Sequence, residues 1–145
     1  MAYAAPDDII DLYGGDFLLL IAQRGDDADL AGTATAAAIS DALAQASSEA
    51  DSYIGARYPV PVSPAPRVLQ LHVINMACHH LAATAERMTE QIRQRYEDAM
   101  GWLKDVAAGR AALGPGDTGG GDGGGENPDE TLIASRPPVD WRRYP

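Results

Sequence analysis

The sequence predicts an all-α protein, a small bundle of four to five helices followed by an extended glycine-rich C-terminal arm. Three observations carry this prediction. Hydrophobic residues make up 46% of the 145 residues, much of that alanine, while aromatics reach only 6%. Alanine loses no side-chain entropy in a helix, so such a composition favours helix over strand. Apolar residues also recur at steps of three and four, the spacing that lines one face of a helix. Finally, the composition changes sharply at Gly114. The expected organisation is a helical body over residues 1–113, a Gly/Asp-rich linker over 114–130 and a distinct terminal segment over 131–145. A body of that size holds a modest core, and its small side chains leave little volume for a ligand pocket.

The first helix is expected to start at Pro6, because proline suits the first helical position and Asp7 and Asp8 sit where the macrodipole favours negative charge. Ile9, Leu12 and Tyr13 form its apolar face, and Gly14-Gly15 stops it. A short second helix follows over roughly Asp16–Gln23, with Phe17, Leu18, Leu20 and Ile21 to bury, and Arg24 to Asp29 reads as a polar turn. A long helix is expected from about Thr35 to Ala56, capped by Thr33 or Thr35, with its stripe at Ile39, Leu43, Ala46, Ala50, Tyr53 and Ile54.

Four prolines at positions 59, 61, 64 and 66 forbid helix and favour a stiff, extended connector. Pro66 opens the next helix, to about Ala85, which is apolar around nearly its whole circumference through Val68, Leu69, Leu71, Val73, Ile74, Met76, Cys78 and Leu81. Such a helix is expected at the buried centre. The last helix runs from its cap Thr89 to Ala108, with a stripe of Ile92, Tyr96, Ala99, Leu103 and Val106, flanked by Met100 and Trp102. Arg93 with Glu97, and Lys104 near Asp105, read as its solvated face, and Gly109 stops it.

Charge is unevenly spread. The net −10 divides into −8 for residues 1–58, +1 for 59–113 and −3 for 114–145. An acidic surface repels nucleic-acid phosphates, which disfavours ordinary DNA or RNA binding by the body. The single cysteine, Cys78, excludes an internal disulfide. No signal peptide is expected from Met1 to Asp8, and no membrane span, since the longest strongly apolar run, Phe17 to Ala22, is far too short to cross a bilayer.

The chain offers little chemistry. Cys78-His79-His80 with His72 upstream is the one cluster of metal-ligand residue types. Adjacent helical residues point about 100° apart, so these three do not converge on an ion, and core or interface histidines are expected. Arg24-Gly25-Asp26 matches an adhesion tripeptide, but three residues recur by chance, and Asp26, Asp27 and Asp29 lack the ligand pattern of a calcium loop. The glycines from Gly114 to Gly125 precede no lysine-serine or lysine-threonine pair and no helix, so they form no phosphate loop. Cys78 lies on the most apolar helix with nothing to activate it, and Tyr96 and Trp102 read as core. No catalytic, cofactor-binding or metal residue is assigned, and the chain is expected not to be an enzyme.

The terminal segment differs from its linker. Thr131 to Pro145 combines apolar residues with arginines, Trp141 and Tyr144, the types enriched at binding hot spots. A flexible tether ending in such a patch reads as a docking peptide.

The order of the pieces resembles a known family. Pro6-Asp7-Asp8-Ile9-Ile10-Asp11-Leu12-Tyr13-Gly14 comes first, then Ala50 to Pro61 with its core Ile54-Gly55-Ala56-Arg57-Tyr58-Pro59-Val60-Pro61, then the proline-started apolar helix, then Arg95 to Gly109. Over residues 1–113 the chain resembles the Mu-like prophage family of head–tail connector (head completion) proteins of tailed phages. The resemblance implies an adaptor ring in the virion, usually of twelve copies, made in the bacterial cytoplasm and seated between the portal protein and the stopper or tail protein. It implies no catalytic residues, and DNA passing through the bore without being gripped, a role that suits the acidic first half. Related adaptors attach to the portal by a C-terminal arm, which here implies docking by Ser135, Arg136, Val139, Trp141, Arg142, Arg143 and Tyr144. Ser135-Arg136 matches a serine-arginine segment of the family, whereas the long glycine-rich insert before it departs from the family's compact pattern. The same resemblance suits a gene transfer agent. Two other classes stand beside it. Another helical virion part is one; a small DNA-binding regulator is the other, opposed by the acidic balance and distinguishable by a salt-dependent gel shift. A small enzyme or ligand carrier would need a convergent polar constellation, which the sequence lacks.

Overall fold

The computed structural model describes residues 2–25 and 29–114. These form five helices and, among the described residues, no strand: α1 Pro6–Tyr13, α2 Gly15–Ala22, α3 Thr33–Ile54, α4 Arg67–Thr84 and α5 Glu90–Ala107. No helix among them is long and apolar enough to cross a membrane.

The sequence places α1 well. Pro6 opens it, and the Asp8 carboxylate accepts the Ala5 N–H at 2.7 Å, satisfying a donor at the helix start. Gly14 ends it at φ +89°, ψ 152°, a backbone region reached essentially only by glycine. Gly15, expected to share in the stop, instead becomes the first residue of α2. Helices this short bury only one stripe: Ile9 in α1, and Leu18, Ile21 and Ala22 in α2. Leu12 and Leu20, both expected inside, are therefore exposed.

Arg24 closes α2. Its guanidinium donates to the carbonyls of Ile21, Ala22 and Gln23 at 3.2–3.4 Å and to that of Leu81 in α4 at 3.5 Å. A cation at a helix C-terminus satisfies the carbonyls left without partners. The residue that opens the polar turn is thus structural, while Asp26 and Asp27 lie outside the described residues.

The expected threonine cap of α3 is not made. Gly32 is the cap residue, and neither Thr33 nor Thr35 bonds there. Thr35 points into the core instead, fully buried, and its hydroxyl accepts the Arg24 N–H at 3.3 Å. The stripe of Ile39, Leu43, Ala46, Ala50 and Ile54 is buried as the periodicity predicts. By contrast, Thr89 caps α5 as read, its hydroxyl accepting the Ile92 N–H at 3.3 Å. Gly109, at φ +77°, turns the chain away after α5, and the Arg57 guanidinium lies where its Cβ would be.

The proline connector makes a series of bends rather than a straight run. An N-terminal strap holds it. Tyr3 donates its N–H to Ser47 of α3 at 3.1 Å, its hydroxyl donates to Asp51, and the same hydroxyl accepts the Val62 N–H at 2.9 Å. One phenol thus joins the chain start, α3 and the connector.

Helices α3, α4 and α5 are the main bundle. His72 stacks on Trp102 and His79 on Tyr96, so positions rise along α4 as they fall along α5 and the pair is antiparallel. Glu49 of α3 reaches both His80 of α4 and Tyr96 of α5. Helices α1 and α2 pack on each other, and α2 lies over α4.

Candidate interaction surface

Helix α4 is covered along most of its length and open at its start. The covered face carries Leu69, Val73, Met76, Ala77, Cys78, Leu81 and Ala82, all buried. Beside it runs a polar and aromatic seam. His72 lies on Trp102 with centroids 4.5 Å apart, and His79 on Tyr96 at 4.0 Å. Glu49 accepts the Tyr96 hydroxyl at 2.9 Å through one oxygen and meets His80 Nε2 at 3.1 Å through the other. Burial, and then this hydrogen bond to Glu49, pushes the Tyr96 phenol up to about 12.

Burial lowers the pKa of His72, with Asp98 opposing. Burial lowers that of His79 too, helped by His80 and Arg93 and opposed by Glu49. The Nδ1 atoms of both rings are covered and have no hydrogen-bond partner. A proton there would be costly, so both rings stack as neutral aromatics. These are the core and interface histidines the sequence implies, and among the described residues no group of three metal-ligand side chains converges. Cys78 is buried, which pushes its thiol up to about 12, with Arg95 acting the other way.

A second polar anchor sits where α1 ends. Tyr13 bonds through its hydroxyl to the buried Asn75, its ring packs on Phe17, and the Arg95 guanidinium lies over it at 4.4 Å. A cation over an aromatic face is attracted by the ring quadrupole, so this one residue fastens α1 to α4 and α5.

The first turns of α4 overturn the expectation of a helix buried all round. Val68 is 47% and Leu71 40% exposed, and Leu12 of α1, 46% exposed, stands across from them. The three line an open groove of about 500 Å³ floored by Ile74, with Asp8 and Asp11 on the α1 rim and Arg67 on the other. The reason is geometric: α1 has only eight residues and is fastened at Tyr13, so it leaves the first turns of α4 uncovered. The sequence carried part of the signal, since α4 is apolar around most of its circumference while α1 has only eight residues to lay on it. The face read as solvated is exposed at Arg93, Glu97 and Lys104; there Arg93 pairs with Glu90 at 3.2 Å, and Asp105 pairs with Arg110 at 2.6 Å. Ser135, Arg136, Val139, Trp141, Arg142, Arg143 and Tyr144, the docking residues inferred from the sequence, lie outside the described residues.

Residues 3–127 match the family model for Bacteriophage Mu, Gp36. The chain belongs to that family. It is also similar to the Mu-like prophage FluMu protein gp36 of Haemophilus influenzae, with 41% identity over 78 residues, 54% of this chain and 54% of the relative. The chain thus spans about half the length of the curated relative it matches. The family's phage origin agrees with the resemblance carried by Pro6–Gly14, Ile54–Pro61 and Arg95–Gly109.

Proposed function

We propose that this chain is a structural head–tail adaptor of a phage or phage-like particle, one subunit of a ring of about twelve between the portal and the stopper or tail, not an enzyme. The observation that supports it is the match to a phage Mu family across both the helical bundle and part of the glycine-rich linker. The arm carries portal attachment. Trp141 and Tyr144 bury aromatic surface, and Arg136, Arg142 and Arg143 form charge-assisted bonds to acidic portal groups, with Ser135 and Val139 completing the contact. The acidic first half, −8 over residues 1–58, suits a bore through which DNA passes without being held. The test is the mass of the complex with the cognate portal, for the full chain and for a chain cut after Leu113. The expected result is about one full-length copy per portal subunit and none of the truncated chain. Equal binding by both would move the contact from the arm to the helical body. No binding by either would end the adaptor reading.

A further inference from the structure

The groove between α1 and α4 has an apolar floor and an acidic wall. Leu12, Val68 and Leu71 are each at least 40% exposed, while α1 contributes Asp8 and Asp11 to the wall and no base. Exposed apolar side chains gathered in one concave site mark a contact with another chain segment. A fitting occupant is apolar, aromatic and cationic. This protein's own sequence holds one. Residues 131–145 contain Leu132, Ile133, Val139, Trp141 and Tyr144 with three arginines against one acid, Asp140. Arg67, the one basic side chain on the rim, matches that acid.

Position favours the same occupant. Because His72 pairs with Trp102 and His79 with Tyr96, the C-terminal end of α5 lies beside the first turn of α4. Leu113 is buried, so the chain is still held to the bundle where Gly114 leads into the glycine-rich run. Residues 115–130 then separate the bundle from Thr131. A glycine-rich sequence of that length corresponds to a random-coil span of roughly 20–25 Å, comparable to the length of α4, about 27 Å at 1.5 Å per residue. A tether matched to its span gives an effective concentration on the order of millimolar, enough to fill a site of modest intrinsic affinity.

We propose that the groove of Leu12, Val68 and Leu71 binds the C-terminal segment Thr131–Tyr144 of the same chain when no other partner holds that segment. Trp141 fills the apolar floor, and Arg142 and Arg143 face Asp8 and Asp11. The free protein therefore covers its own apolar groove, and any partner that takes the arm uncovers it. The contact involves no portal, so its failure would leave the adaptor reading intact, and failure of that reading would leave the contact standing.

The experiment is methyl NMR on the full chain. The leucine and valine methyls are compared between the unaltered protein and a Trp141→Ala/Arg142→Ala/Arg143→Ala variant, at several concentrations, with sedimentation to give the mass. The expected result is that the methyls of Leu12, Val68 and Leu71 shift while those of Leu20, exposed on α2, do not, at every concentration and with monomer mass. The reverse variant, Leu71→Lys, alters only an exposed groove side chain and should move the Trp141 indole signal to its position in an isolated peptide. Unchanged groove methyls, or an indole signal indifferent to Leu71→Lys, would overturn the proposal. Shifts that grow with concentration alongside a doubled mass would overturn it too, by giving the groove to the arm of a second copy.

Discussion

Along its later turns helix α4 lays His72 and His79 on aromatic rings of α5; at its first turns it presents Val68 and Leu71, still 47% and 40% exposed. The two stretches belong to one helix, and Val68 shares a side with His72 and Leu71 with the buried Cys78, so neither composition nor face separates them. What separates them is the length of the neighbour. The 18 residues of α5 run alongside all of α4, whereas the eight of α1 reach only part of it. Apolar surface on a helix thus reports what could be buried, and the lengths of the partners decide what is.

The contrast is most directly broken within a single turn. Leu69 is fully buried and Leu71 is 40% exposed. Leu69→Ala should cost about 2–5 kcal/mol, the range for deleting a packed leucine side chain, while Leu71→Ala, made on the Trp141→Ala/Arg142→Ala/Arg143→Ala background so that the arm does not cover the groove, should stay within about 0.5 kcal/mol. Urea unfolding of both variants on that background measures the difference, and equal losses would mean that the helical body itself covers Leu71. Next in size is the joint that keeps α1 short. Gly14 at φ +89° and ψ 152° admits no side chain without strain, so Gly14→Ala should destabilise by about 1–3 kcal/mol, read as a lower unfolding midpoint. A loss below that range would mean that the α1–α2 joint readily adopts another geometry.

The smallest expected effect concerns acid. His72 and His79 are held below their ordinary value of 6.5, chiefly by burial. Well above 6.5 both the folded and the unfolded chain leave them neutral. Below it the unfolded chain takes up protons that the folded chain resists, so stability falls as pH drops. Melting at pH 7 and pH 5 should show a smaller decline in His72→Phe/His79→Phe than in the unaltered protein, the carboxylates being common to both. An identical decline would remove the neutral stacked rings from the account.

Much of this architecture is legible in the sequence, and the exceptions are instructive. The α5 stripe and its Thr89 cap follow from local pattern alone, because cap, periodicity and stop all lie on one short stretch. Thr35 misleads because its hydroxyl is taken by Arg24, eleven residues away, and a tertiary partner overrides a local preference. Tyr3 and Arg24 look like loop residues, yet they tie together segments distant in sequence. The shared face of His72 and His79 can be read from their spacing, but their pairing with Trp102 and Tyr96 depends on the register between two helices. The groove appears only once the short reach of α1 is known.

The lone thiol gives the bundle a built-in clock. Cys78 is 4% exposed, and its pKa of about 12 leaves almost no thiolate at neutral pH, so a thiol reagent reacts only in the moments when α4 is laid open. The rate of that labelling counts those openings without any added probe, and slower labelling after a partner binds would measure how firmly the partner locks the helices together.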